Sequence, residues 1–287
     1  MARRLAAAGF RLVVADADRS RATRFVSGNA DAAQGSVADI GRKCGIVITM
    51  LPDGKAVREV VLGEAGAPGE SLAAGLPPGS VLIDMSSSSP VGTRELGKIL
   101  SGRGVALLDA PVSGGVRKAQ EGALSIMVGG DAATVERCKG VLSAMGRQIF
   151  PTGPLGTGHA MKALNNYVSA AGLIAASEAV MAGERFGLDP AVVVDILNAS
   201  SGKNNSTENK FRPFILSRAF SSGFSLGLMA KDIRIAMEVA EAAGTPAPLG
   251  HRCMEVLNEA EGKLGGNSDH TEVIRYLEGI VAAPGRE

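Results

Sequence analysis

The feature that most constrains this chain is a change of texture between residues 153 and 160. Up to residue 153, short apolar runs rich in β-branched residues alternate with helical patterns. The runs are RLVVAD (11–16), CGIVITM (44–50), SVLIDMS (80–86), GVALLDAP (104–111), ALSIMVGGD (123–131) and RQIFPTG (147–153). Several are hydrophobic nearly throughout, as strands covered on both faces must be. Helical segments such as GKAVREVVLG (54–63) and AATVERCKGVLSAMG (132–146) separate them, so a doubly wound α/β sheet is expected. After Gly158 the strand signal stops. AMKALNNYVSAAGLIAASEAVMAGERFG (160–187) is one long helical pattern, followed by AVVVDILNAS (191–200), LMAKDIRIAMEVAEAAG (228–244) and LGHRCMEVLNEAEG (249–262). The expected organisation is an α/β domain over 1–157 and an all-helical domain over 158–287.

Composition narrows the class further. With 287 residues and 45% hydrophobic content, the chain can bury a large core in each of two domains. A net charge of +1 gives no global reason to expect nucleic acid or an anionic membrane as partner. No apolar run reaches the ~18 to 20 residues of a membrane span, and the start lacks the order of a signal peptide. Cys44, Cys138 and Cys253 are odd in number and far apart, without metal or redox spacing, and read as reduced thiols of a cytoplasmic protein.

The opening, MARRLAAAGFRLVVAD, reads as a helix leading into a strand that ends at Asp16. In a dinucleotide-binding βαβ unit, a first strand enters a glycine-rich turn and helix that receive the pyrophosphate. A carboxylate closing the second strand then takes the ribose hydroxyls. Asp16 stands where that carboxylate belongs, although a lone Asp after a strand is also read as a helix cap. The strand and glycine loop that would come before the helix need about fifteen more residues.

Three later segments carry stronger signals. DAPVSGG (109–115) leaves a strand into a glycine turn, bringing Ser113, Gly114 and Gly115 to a strand's carboxyl end, where open α/β sheets place ligands. An ordinary strand-to-turn transition would read the same way. GPLGTGHAMKALNN (153–166) opens a helix on which Lys162 and Asn166, four residues apart, share one face. The surrounding helix is apolar and small, a poor place for polar side chains without partners. In MAKDIRIAMEVA (229–240), Lys231 and Asp232 interrupt an apolar helix start; the plain alternative is a solvated lysine and an acid favoured at a helix N-terminus.

Taken together, these segments resemble the β-hydroxyacid dehydrogenase family over essentially the whole chain. The resemblance includes TMLPDGKAVREVV (49–61), DMSSSSP (84–90), DAPVSGG, GPLGTGHAMKALNN and AKDIRIA, in the family's order and spacing. It implies a Rossmann-type domain followed by an all-α domain, NAD as cofactor, and a homodimer or homotetramer. It also implies hydride transfer between nicotinamide and a short β-hydroxyacid or semialdehyde, of the 3-hydroxyisobutyrate or 2-hydroxy-3-oxopropionate type. By the same resemblance, Lys162 is the general acid/base, and Ser113, Gly114, Gly115 and Asn166 bind substrate. Leu51, Pro52, Ser87 and Lys231 contact the cofactor, Ser87 standing where the family usually has threonine. A lysine of ordinary pKa, near 10.4, is a poor base at neutral pH, so this role requires a sheltered site beside other cations. Asp16 favours NAD by repelling a 2′-phosphate, while Arg19 and Arg21 keep NADP in play.

The departure from the family is the start, where relatives have the strand and Gly-x-Gly-x-x-Gly loop. Met1 then reads as an internal methionine of a longer product. A chain truly starting at Met1 is expected to bind NAD weakly or not at all and to have a destabilised N-terminal domain; calorimetry on the 287 residues checks this. Three other functions are weighed: an imine reductase, against which Lys162 argues; a decarboxylating sugar-phosphate dehydrogenase, which would want a cluster of basic residues that the sequence does not place; and a catalytically impaired binding or assembly protein. Smaller features receive bland readings. His159 lies beside the catalytic segment, His251 and His270 read as surface or helix-face residues, and no His/Asp/Glu group has metal-site spacing. SGKNNSTENKF (201–211) is either a solvated interhelix loop or a pocket segment whose Lys203, Asn204 and Asn205 reach an acidic substrate.

Overall fold

A computed structural model describes residues 1–63 and 70–282, with the backbone alone at 281 and 282. The chain divides into two compact units, Met1–Lys162 and Ala163–Glu287.

The first unit is the α/β half. Its strands are β1 (Leu12–Val14), β2 (Ala32–Gln34), β3 (Ile46–Thr49), β4 (Val81–Asp84), β5 (Ala106–Asp109), β6 (Val112–Ser113), β7 (Leu124–Gly129) and β8 (Gly146–Gly153). β1 and β2 form a parallel pair of their own, whereas the larger sheet runs β3-β4-β5-β7-β6 with β8 on β7. β3, β4 and β5 are parallel and in register, so Thr49, Asp84 and Asp109 end the three strands abreast. All four residues of β4 are buried, as a strand covered on both faces requires.

Alternation along β4 sends Val81 and Ile83 to one face and Leu82 to the other. Val81 and Ile83 pack with Leu5 of the helix Ala2–Ala7 and with Cys138, Val141 and Leu142 of the helix Ala132–Ser143. Leu82 packs with Val57 and Val61 of the helix Gly54–Leu62 and with Leu96 and Leu100 of the helix Pro90–Ser101. Helices therefore cover both faces, which is the doubly wound arrangement. Two strands carry no apolar run: β2 is AAQ, half exposed, and β6 is two residues inside the DAPVSGG turn. Pairing with a neighbour, not hydrophobicity, makes them strands.

The second unit is helical, with no strand among its described residues. The long helix Thr157–Phe186 runs into it from the first, followed by Pro190–Ala199, Asn205–Asn209, a π-helical turn at Phe211–Leu216, Leu226–Ala242, Pro248–Leu264 and Val273–Ala282. Leu173, Phe211, Leu226, Ile233, Leu257 and Val273 are fully buried in its core. Buried Ala170, Ala230 and Ala260 keep the helices close. The segment 201–211 is not a loop throughout. Asn204 caps the short helix Asn205–Asn209 through the N–H groups of Ser206 and Thr207, and Phe211 is fully buried. Among the described residues no helix is long and apolar enough to cross a membrane.

Candidate active site

The carboxyl ends of β3, β4 and β5 are tied together by two buried carboxylates. Asp84 accepts from Thr49 Oγ1 at 3.0 Å, from the Ser86 N–H at 3.0 Å and from Ser88 Oγ at 2.9 Å. Ser86 Oγ in turn accepts the Leu51 N–H at 2.9 Å. The turn bearing Leu51 and Pro52 is thereby fixed against the turn bearing Ser87, which sits between the buried Ser86 and Ser88. Two of the expected cofactor contacts, Leu51 and Ser87, thus belong to one hydrogen-bonded pair of strand-end turns, and Pro52 follows directly.

Asp109 does the same for the catalytic segment. It is fully buried and accepts the N–H groups of Gly156 and His159, each at 2.7 Å. A carboxylate on a strand end thus satisfies donors that the first turn of a helix leaves open. Gly158 allows the approach, since a Cβ there would lie 2.5 Å from the Met127 carbonyl and 2.8 Å from that of Asp109. Lys162, half-buried, is carried one turn beyond His159 on this helix.

Ser113 lies half-buried on β6, paired with Ser125 of β7. Gly114 follows at φ +127 and Gly115 at φ +66, and both are exposed. Gly114 is required twice, because the left-handed backbone excludes other residues and a Cβ would meet the Lys118 side chain at 2.6 Å. The turn therefore presents a hydroxyl and two exposed glycines, with the Lys118 side chain beside Gly114.

In the second unit, Asn166 is buried and donates through Nδ2 to Asp232 Oδ2 at 2.5 Å, while Asn165 Nδ2 donates to Asn166 Oδ1 at 3.1 Å. Lys231 Nζ lies 3.8 Å from Asp232 Oδ1. Asp232 is 2% exposed, and the Lys231 side chain retains only 19% of its exposure. The plain alternative for this pair, a solvated lysine beside a helix-end acid, is therefore replaced by a buried carboxylate holding an amide and a half-buried ammonium. Lys203 pairs with Glu208 at 2.8 Å, the Asn204 amide is used in its cap and on the Gly172 carbonyl, and Asn205 Oδ1 accepts from Asn209. These bonds tie the segment to its own short helix and, through Gly172, to the helix Thr157–Phe186.

Asp16 sits apart from these turns, two residues beyond β1, exposed in a cleft of about 600 Å³ lined also by Arg19, Gln34, Ser36 and Glu70. Its Oδ1 accepts the Asp18 N–H at 2.9 Å, and its other oxygen has no partner among the described residues. An exposed carboxylate in a cleft beside parallel strand ends suits a nucleoside ribose. Asp16 thus fits the ribose of NAD. Among the described residues no group of three or more His, Cys, Asp or Glu could hold a metal ion.

Two features escaped the sequence. Asp84 and Asp109 stand in quoted motifs, yet a carboxylate ending an apolar strand already signals a buried charge in need of donors. His270, read as a surface or helix-face residue, is 1% exposed; Lys210 Nζ lies 2.7 Å from its Nε2 and the Phe224 carbonyl 3.0 Å from its Nδ1. His251 is exposed.

Residues 1–153 match the family model described as the NAD binding domain of 6-phosphogluconate dehydrogenase. Residues 156–277 match that of the NAD-binding of NADP-dependent 3-hydroxyisobutyrate dehydrogenase. Among curated relatives, the NAD-dependent L-serine dehydrogenase of Pseudomonas aeruginosa is 37% identical, over 87% of this chain and 84% of its own. The 2-hydroxy-3-oxopropionate reductase of Escherichia coli is 35% identical, over 81% and 78%. Of solved structures, the 3-hydroxyisobutyrate dehydrogenase of Mycobacterium tuberculosis with L-serine superposes with a TM-score of 0.84 at 31% identity, covering 96% of this chain and 93% of that one. Imine reductases are 16–18% identical, a likeness of fold alone. With both halves matched and such relatives over most of its length, the chain belongs to the β-hydroxyacid dehydrogenase family of NAD(P)-dependent oxidoreductases.

Proposed function

We propose that this chain oxidises a short β-hydroxyacid to its semialdehyde, and runs the reverse reduction, with Lys162 as general acid/base. The observation that carries the reading is the seating of the Lys162 helix on Asp109, which fixes the lysine's turn against the strand ends. Substrate is bound by Ser113 and the Gly114 and Gly115 amides at its carboxylate and by Asn166, which Asp232 orients. Leu51, Pro52, Ser87 and Lys231 hold the cofactor, whose nicotinamide accepts or returns the hydride. In oxidation, Lys162 as free amine takes the hydroxyl proton while hydride leaves the same carbon; in reduction, the ammonium returns a proton to the forming alkoxide.

Residues 1–157 serve as the dinucleotide-binding domain and 158–287 as the substrate and dimerisation domain of a cytoplasmic homodimer or homotetramer. The relatives named above act on L-serine and 2-hydroxy-3-oxopropionate, and 3-hydroxyisobutyrate belongs to the same chemical class. Each has a carboxylate one carbon removed from the carbinol or carbonyl carbon, which the amide turn and the lysine can reach together. The test is a panel of these substrates with NAD and NADP, following reduced nicotinamide. Turnover of at least one hydroxyacid is expected; turnover of cyclic imines alone, or of nothing in a chain that binds cofactor, would sink the reading.

NAD is the preferred cofactor, supported by Asp16 in its cleft, one of whose oxygens has no partner among the described residues. Asp16→Ser is expected to raise the KM for NAD about tenfold, the loss of one charge-assisted hydrogen bond, and to lower that for NADP. An unchanged ratio of kcat/KM for the two cofactors would show that Asp16 does not face the ribose.

A further inference from the structure

One buried ring is left over by this reaction. His159 is 1% exposed and stands in the first turn of the helix that carries Lys162. Its backbone N–H is held by Asp109, and its side chain reaches three further places. Nδ1 lies 2.8 Å from Thr93 Oγ1 on the helix Pro90–Ser101. The Thr93 hydroxyl gives its own proton to the Ser89 carbonyl at 2.9 Å, so Nδ1 carries the hydrogen and donates. Nε2 lies 3.7 Å from Asp84 Oδ2 and has no hydrogen-bond partner among the described residues; Asp109 Oδ2 lies 3.9 Å from Nδ1.

The ring is thus set between two carboxylates that are at most 2% exposed, at the ends of adjacent strands, and hooked to a helix on the sheet's flank. Solvent cannot substitute for any of these contacts, because every group involved is buried. The backbone bonds to Asp109 fix where the long helix begins. They leave the orientation of that turn to be completed by side chains, and the His159 ring, between Asp84 and Asp109, reaches the flanking helix through its hydrogen bond to Thr93.

We propose that His159 is a positioning residue for Lys162: through its hydrogen bond to Thr93, with its ring seated between Asp84 and Asp109, it sets the rotation of the helix's first turn, and with it the direction of the lysine one turn on. The proposal rests on the catalytic role assigned to Lys162 above.

The test compares His159→Leu, which keeps bulk without a donor, His159→Asn, which keeps a donor where Nδ1 stands, and Thr93→Val, which removes the acceptor from another helix. Each is measured for fold by circular dichroism, for kcat and KM, and for the Lys162 environment. The last is read by reductive methylation with ¹³C-formaldehyde, with the Lys162 resonance identified by its loss in Lys162→Arg. In His159→Leu, kcat should fall roughly ten- to a hundredfold, the usual cost of misplacing a reacting group by about an ångström, with the KM for cofactor unchanged. The Lys162 resonance and its pH midpoint should shift in His159→Leu and Thr93→Val and return toward wild type in His159→Asn.

A folded His159→Leu or Thr93→Val protein with wild-type kcat and an unmoved Lys162 resonance would overturn the proposal. So would loss of fold in both His159→Asn and Thr93→Val, which would make the ring a core fixture. If the wild-type chain turns over no hydroxyacid, the catalytic reading fails alone, because the resonance still reports whether His159 orients Lys162.

Discussion

Lys162→Met lowers kcat for hydroxyacid oxidation by about a thousandfold or more, with little change in the KM for NAD, when steady-state rates are compared on folded protein. The magnitude is that of losing a general acid/base, which typically contributes about 10²- to 10⁴-fold. Methionine keeps the length and apolar stem of lysine, so the helix seated on Asp109 and the core around Ala163 are undisturbed. Lys162→Arg should not restore the rate, because a guanidinium keeps its charge and cannot take the hydroxyl proton. An effect confined to KM would instead make Lys162 a binding cation, since loss of uniform binding leaves kcat untouched. A kcat within tenfold of wild type would remove Lys162 from the chemistry altogether.

The second large effect is on stability in acid, and it comes from the other half of the chain. Burial, and then the neighbouring Lys210 ammonium, push the His270 imidazole down to about 4 from its ordinary 6.5. Above pH 6.5 the ring is neutral in folded and unfolded chains alike, and it adds no pH dependence. As pH falls from 6.5 toward 4 the unfolded chain takes up a proton that the folded chain refuses, so stability is lost across that window. The full gap corresponds to about 3 kcal/mol. Asp269 beside it, held below the ordinary carboxylate range by bonds from Thr271 and Ser222 despite its burial, adds a loss that begins only at lower pH.

Lys210 gives an effect of the same sign in base. Burial brings it to about 8 from 10.5, against the pull of Asp269, so stability rises as pH climbs between those values. Urea unfolding followed from pH 7 to 4.5 should show the loss in wild type and a nearly flat profile in His270→Gln. Equal slopes in the two proteins would mean that the ring is not the proton acceptor.

Both halves of the fold were legible because burial writes itself into composition where an element is covered on two faces. VLID and ALLD are strands in any reading, and the small-residue pattern after Gly158 is a helix. AAQ at 32–34 was not legible, because a half-exposed strand takes its identity from β1 beside it. The site shows the same division. Lys162 and Asn166 could be paired from helical spacing alone. The Asn166 contact with Asp232 spans 66 residues, and the Thr93 contact with His159 spans 66 as well; no local pattern encodes either. His270 was misread for the same reason: its neighbours GNSD and TE are polar, while the Lys210 and Phe224 that enclose it lie 60 and 46 residues away.

The way Asp109 receives Gly156 and His159 bears on how such enzymes can be recombined. The short glycine-containing turn after β8 looks like a natural seam for exchanging the helical half with that of a relative. A cut there would separate a helix from the carboxylate, 47 and 50 residues upstream, that completes its first turn. A workable chimaera must inherit its crossover downstream of Lys162, inside the helix itself, so that strand end, glycine approach and reactive amine travel as one heritable block.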